Sequence, residues 1–273
     1  MSLYEDQFAE KYDFPRVERP TKTLIIASTG RSGSHMLGHA LHETKCFGFP
    51  LEYLNPGNLL EWKRRLGVRK TKAVLEELQR RRTSPNGVFG IKLHYAHIQQ
   101  IGGFSEVRKY FPDAYYILLS RVDQLSQAVS MSVARQTGLW IANQNVSPRC
   151  TPKYSFKQID KCLRQIILEN ASWRYLLASQ GCRHKEIIFE NARDNLRETI
   201  IEIAEFMSID IGEETLPESQ VTIKQGRDFN TVWTKRFSSE FSGSKELCKR
   251  AVHKNQILIG IKVLAIKALR VFT

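Results

Sequence analysis

Four short apolar runs punctuate the chain, at residues 23–28 (TLIIAS), 89–93 (FGIKL), 115–120 (YYILLS) and 186–189 (EIIF). They are continuous rather than alternating and rich in β-branched and aromatic residues, the pattern of strands buried on both faces. Between them lie longer stretches with helix-compatible spacing. These are residues 34–43, where Met36, Leu37, Ala40 and Leu41 recur, 59–82 with a break near Gly67, 125–135, 156–179 and 196–207. Strands alternating with helices predict an α/β domain, a parallel sheet flanked by helices on both faces. Residues 142–154, with Pro148 and Pro152, predict a loop.

The last stretch changes character. From residue 245 onward Ile257, Leu258, Ile261, Leu264, Ile266 and Leu269 recur among Lys249, Arg250, Lys254, Lys262, Lys267 and Arg270. This predicts a basic amphipathic helix that either docks on the domain or lies on an anionic membrane surface. Its charges exclude spanning a bilayer. The 273 residues are accordingly read as one domain, with a core over 20–240 and a basic C-terminal helical extension over 241–273.

Charge narrows the partners. A net charge of +13 calls for an anionic partner, either nucleic acid, an anionic membrane or a phosphate-rich small molecule, unless it is a solvated basic surface. The dense basic runs at 63–72 and 80–82 fall on an expected solvated helix without interleaved aromatics, which disfavours nucleic acid. The five cysteines form no C-x-x-C pair and no ligand-like cluster, so reduced, mostly buried thiols and no metal are expected. The N-terminus carries Glu5, Asp6, Glu10 and Asp13 and neither a basic nor an apolar leader region. A cytoplasmic protein is expected, with peripheral association at the inner membrane open through the tail.

The chemistry concentrates after the first strand. Ser28, Thr29, Gly30, Arg31, Ser32, Gly33 and Ser34 link a strand to a helix, a geometry that aims backbone N–H groups and the positive helix end at one anion. The glycines allow tight turns, Ser32 and Ser34 donate hydroxyls, and Arg31 supplies a permanently charged fork. A Walker A loop needs lysine before its final hydroxyl residue, and here that lysine is missing, which disfavours a nucleotide kinase. Arg121, at the end of the 115–120 strand, and Ser130, about two and a half turns along the next helix, suit a second phosphate. Arg121 paired with Asp123 or Glu190 is the alternative.

Taken together these segments resemble a known family. ASTGRSGSHML, which includes His35, is similar to the 5′-phosphosulfate loop of bacterial sulfotransferases, LSRVDQLSQAVS to their 3′-phosphate motif, and QTGLW at 136–140 to the segment that follows. With FGFPLEYLNP at 47–56, the resemblance covers roughly 23–237 and is greatest to the trehalose 2-sulfotransferase and lipopolysaccharide sulfotransferase group. It implies a P-loop-NTPase-like sulfotransferase fold and transfer of a sulfuryl group from 3′-phosphoadenosine-5′-phosphosulfate (PAPS) to a carbohydrate or glycolipid hydroxyl, leaving adenosine 3′,5′-bisphosphate. It also implies a homodimer. Three departures stand out: Gly30 is additional to the commoner loop, the Arg121 to Ser130 interval is one residue longer than in eukaryotic relatives, and Val122 replaces a frequent second arginine.

Roles follow from the resemblance. Thr29 to His35 would hold the 5′-phosphosulfate, with Arg31 stabilising the leaving phosphate, and Arg121 and Ser130 the 3′-phosphate. Gln225 and Arg227 are loosely similar to the segment that closes over that phosphate. Glu52 corresponds to a glutamate that activates the acceptor hydroxyl, and a raised pKa is expected of it in a water-poor site. His94 or His97 as base, and Glu52 as a plain surface charge, remain open. Lys92, among apolar neighbours, needs an anion, either donor sulfate or an ion-pair partner. Trp140 and Trp173 are candidates for stacking on adenine, or core residues.

Overall fold

The computed structural model describes residues 5–140, 148–217, 229–242 and 247. Gln225, Arg227, Cys248 and nearly all of the basic tail therefore lie outside the described residues. The four apolar runs form four parallel strands, β1 (Lys22–Ser28), β2 (Val88–His94), β3 (Tyr115–Ser120) and β4 (His184–Ile188), in the spatial order β2-β1-β3-β4. One of the two central strands, β1, is thus the one that leads into the glycine-serine loop.

Strand residues alternate between two apolar layers, because successive side chains point to opposite faces. Ile25, Ala27, Phe89, Ile91, Leu93, Tyr116 and Leu118 pack with helices α2 (Pro56–Leu66), α3 (Thr71–Arg82), α4 (Tyr95–Gln100), α5 (Phe104–Tyr110) and α7 (Phe156–Ser179). Leu24, Ile26, Ile117 and Leu119 pack with α1 (Ser34–Glu43), α8 (Phe189–Asp194) and α9 (Leu196–Met207). A third cluster joins α6 (Gln124–Thr137) to α7 and α10 (Phe229–Glu240) through Val129, Ile159, Ile166, Trp233 and Phe237.

Local sequence explains the helix limits. Asn55 accepts a bond from Gly57 N at 3.1 Å with Pro56 at the first turn, and Gly67 closes α2 with φ 65°, which produces the break expected in 59–82. Asp123 caps α6 by accepting from Ser126 N at 2.9 Å, and Gly138 ends it. Phe189, expected to close the fourth strand, instead opens α8, and the strand ends at Ile188.

Other expectations need correction. Arg82 is not solvated: it is fully buried at the end of α3. Trp173 takes the second of the two roles open to it, that of a core residue, between Tyr95 and Phe104 with its Nε1–H donating to Ser28 O at 3.0 Å. Of the described cysteines, all free thiols, only Cys162 is buried and Cys150 is exposed. No helix among the described residues is long and apolar enough to cross a membrane.

Candidate functional site

The loop after β1 is held open from several sides. Gln127, on α6, donates from Nε2 to Thr29 Oγ1 at 2.9 Å and to Gly30 O at 2.8 Å. Arg31 adopts φ 65°, a left-handed conformation that costs a non-glycine residue roughly 1–2 kcal/mol and persists only where neighbours enforce it. Here they do. Arg31 Nε donates to Ser130 Oγ at 3.0 Å, Arg31 Nη1 donates to Trp140 O, and Arg121 Nη1 donates to Arg31 O at 3.5 Å. The expected partners Arg31, Arg121 and Ser130 are therefore brought together by the C-terminal ends of β1 and β3 and by α6.

Gly33 precedes α1 with φ 90°, and a Cβ there would stand 1.9 Å from Phe189 Cδ2. Phe189 also lies beneath Arg121, whose guanidinium is 4.8 Å from the ring centre. Gly33→Ala is accordingly expected to cost about 2 kcal/mol, combining left-handed strain with displacement of the ring, as read from a chemical denaturation midpoint.

Two cations in one small space repel each other. Burial, with the Arg121 charge added, lowers the Arg31 guanidinium to a pKa of about 10. Arg121 has Glu190 as a partial counter-charge, Nε to Oε1 at 3.4 Å, so the ion pair and the contact to the loop coexist. Ser32 Oγ is buried and has no partner among the described residues. These features fit an anion: it would relieve the Arg31–Arg121 repulsion and satisfy the hydroxyl.

A second group of residues stands beside β2. Phe47 to Pro50 crosses close over Gly90, where a Cβ would lie 2.3 Å from Phe47 O. This approach lets Leu51 pair with Ile91 as a short parallel extension of the sheet, with Lys92 N donating to Leu51 O at 2.9 Å. Glu52 is carried to Lys92 and His94 as a result. Its Oε1 is 2.9 Å from Lys92 Nζ and 3.0 Å from His94 Nε2, and His94 Nδ1 faces Ser28 Oγ at 3.0 Å. Lys92, 3% exposed, thus has Glu52 as its ion-pair partner, one of the two alternatives the sequence leaves open.

The electrostatics overturn one expectation. Burial by itself pushes the Glu52 carboxyl up, but Lys92, His94 and His97 outweigh it and hold the group well below the usual carboxylate range. Glu52 is therefore charged, as a base must be, but not made more basic by its site. Burial, together with the charge of His94, lowers the His97 pKa to about 4. His35 is lowered to about 2 by burial and by Lys92, and its ring lies 4.3 Å from that of His39. Sequence reasoning passed over His39 and Gln127. The spacing of His35 and His39, four apart on α1, was the signal for the first.

Among the described residues no group of three or more His, Cys, Asp or Glu side chains is arranged to hold a metal ion. In comparisons with known proteins, the chain is similar to the sulfotransferase domain of the curacin biosynthetic pathway (15% identity, 80% of this chain and 83% of that one, TM-score 0.45). It is also similar to a sulfotransferase from Alicyclobacillus acidocaldarius (16%, 82% and 93%, TM-score 0.46) and one from Mycobacterium avium (14%, 82% and 76%, TM-score 0.45). No curated protein matches. A family model described as Stf0 sulphotransferase matches residues 23–240, the span that carries β1, the Arg31 loop, Glu52, Arg121 and Ser130, and the chain belongs to the Stf0 sulfotransferase family.

Proposed function

We propose that this sulfotransferase takes its sulfuryl group from PAPS and delivers it to a hydroxyl of a carbohydrate or glycolipid, with a lipopolysaccharide-type acceptor favoured over free trehalose. The donor supplies an activated sulfuryl group on a phosphate leaving group. The observation that carries the reading is Arg31, strained, half-buried and set against a second arginine beside an unpartnered buried serine. Arg31 and the loop amides hold developing charge on a leaving phosphate, while Arg121 and Ser130 serve a second phosphate. Glu52 accepts the proton of the acceptor hydroxyl. The net charge of +13 supports an acidic glycolipid presented at the inner membrane, where the basic tail would add peripheral attraction.

Calorimetry with adenosine 3′,5′-bisphosphate against ATP–Mg tests the donor. Tight, metal-independent binding of the bisphosphate is expected, and binding no better than that of ATP–Mg overturns the reading. Arg31→Ala should weaken the bisphosphate about 30-fold, the worth of roughly 2 kcal/mol of charge-assisted hydrogen bonding. Labelled PAPS incubated with candidate glycans and glycolipids identifies the acceptor.

A further inference from the structure

The two oxygens of the Glu52 carboxylate are not equivalent. Oε1 takes both strong contacts, Lys92 Nζ at 2.9 Å and His94 Nε2 at 3.0 Å. Oε2 accepts only a long 3.4 Å bond, from Asn55 Nδ2, among the described residues. The histidine is itself held. A carboxylate can only accept, so His94 Nε2 is the donor to Oε1, and on its other side His94 Nδ1 stands 3.0 Å from the buried Ser28 hydroxyl. Ser28 closes β1 and opens the anion loop, and its carbonyl is fixed by Trp173. One chain of contacts therefore runs from the anion loop through His94 to a single carboxylate oxygen.

We propose that Lys92 and His94 are positioning residues that lock Oε1 of Glu52 and leave Oε2 as the one oxygen that takes a proton from the acceptor hydroxyl. This rests on the sulfuryl-transfer reading above. In the transfer step the hydroxyl proton passes to Oε2 and the acceptor oxygen bonds to sulfur. The bond between sulfur and the donor's bridging oxygen breaks, and its electron pair leaves with the phosphate that Arg31 faces. A glutamate on a connecting segment has several rotamers to choose from, and a fixed oxygen spares the ordering cost at the moment of reaction.

The groups that act on the carboxylate come from three elements, Lys92 and His94 from β2, His97 from α4 and His35 from the first turn of α1. Lys92 is the strongest opponent of the burial cost. The residue that aims Glu52 is thus also the one that keeps it charged, and aim and basicity trade against each other.

The test is a carbon-13 NMR titration of protein labelled at the glutamate carboxyls, with the Glu52 signal assigned by its loss in Glu52→Gln. In the wild type the signal should stay that of a carboxylate well below the ordinary glutamate midpoint. Lys92→Met should raise the midpoint by about one pH unit or more, because removing a cation favours the neutral acid. His94→Gln should raise it less, and Lys92→Arg should keep it near the wild-type position. Each Lys92 variant should bind adenosine 3′,5′-bisphosphate within about threefold of wild type, since the Lys92 contact to Glu52 contributes nothing to that affinity. An unmoved midpoint in folded Lys92→Met overturns the inference. So does loss of bisphosphate affinity with the midpoint unchanged, which moves Lys92 into the nucleotide site. If Lys92→Met does not fold, His94→Gln carries the same test, with an unmoved midpoint again the overturning result. Absent bisphosphate binding in the wild type sinks the donor reading instead, and the two failures are thereby distinguished.

Discussion

Glu52→Gln is expected to bind adenosine 3′,5′-bisphosphate as the wild type does while lowering turnover by about 10²–10⁴-fold, the range that general-base catalysis contributes. The amide keeps the shape of the side chain and can still accept from Lys92 and His94, but it has no basic oxygen for a hydroxyl proton. Turnover is read as release of the bisphosphate from PAPS in the presence of acceptor. The substitution also leaves the nearly buried Lys92 ammonium without its counter-charge, so a melting curve belongs beside the assay. Glu52→Asp separates the two effects, since it keeps the charge but withdraws the carboxylate along the same line. A folded Glu52→Asp with low turnover and intact binding reports geometry, and a folded Glu52→Gln with full turnover removes Glu52 from the chemistry.

The sheet and the glycine-serine loop were legible because their signals are local. Residues 23–28 and 115–120 are unbroken apolar runs, and a strand followed by glycines and serines reads as the strand-to-helix turn that forms here. The long helix over 156–179 was legible for the same reason, its apolar positions recurring over six turns. Phe189 was misassigned because a third apolar residue after Glu-Ile-Ile extends a strand pattern, and only the approach of Gly33 and Arg121 shows why the ring is needed one residue past the strand. The helices α4 and α5 were missed because six and seven residues carry too little periodicity to read.

Glu52 could be singled out from its segment, but not its charge state. Whether burial raises a carboxyl or its neighbours lower it depends on which cations the fold delivers. Lys92 and His94 lie forty residues further along the chain, and they reach Glu52 only because Gly90 lets the 47–51 segment lie close against β2. The pairing is a tertiary fact. The same holds for Arg82, which sits in a run of three arginines that pattern reading assigns to solvent.

Arg82→Met should be the most destabilising of these changes, by about 3–5 kcal/mol, the cost of removing one member of a buried ion pair. Arg82 Nε stands 2.7 Å from Asp13 Oδ1, its Nη2 donates to the carbonyls of Gln7 and Ala9, both at 3.1 Å, and the guanidinium lies near the rings of Tyr12, Phe49 and Trp62. Burial pushes the Asp13 carboxyl above its usual range although Arg82 and Arg81 oppose it, so the pair is not itself a large net source of stability. Removing the arginine alone is another matter, because two carbonyls lose their donor and Asp13 keeps only Arg81, at 3.7 Å. At roughly 2–4 °C per kcal/mol for a chain of this size, Tm should fall by about 6–20 °C in a circular-dichroism melt. Asp13→Asn combined with Arg82→Met should recover part of that loss, since the stranded charge is then gone. A single variant that melts within about 2 °C of wild type contradicts the assignment, because a buried arginine that costs so little to remove is not anchoring the segment. The consequence reaches the site, for Phe49 stacks on His42 of α1 at 4.0 Å between ring centres and lies three residues before Glu52. Loosening the N-terminal segment therefore frees the strip of chain that carries the carboxylate, and turnover in Arg82→Met should fall at temperatures below its melting transition.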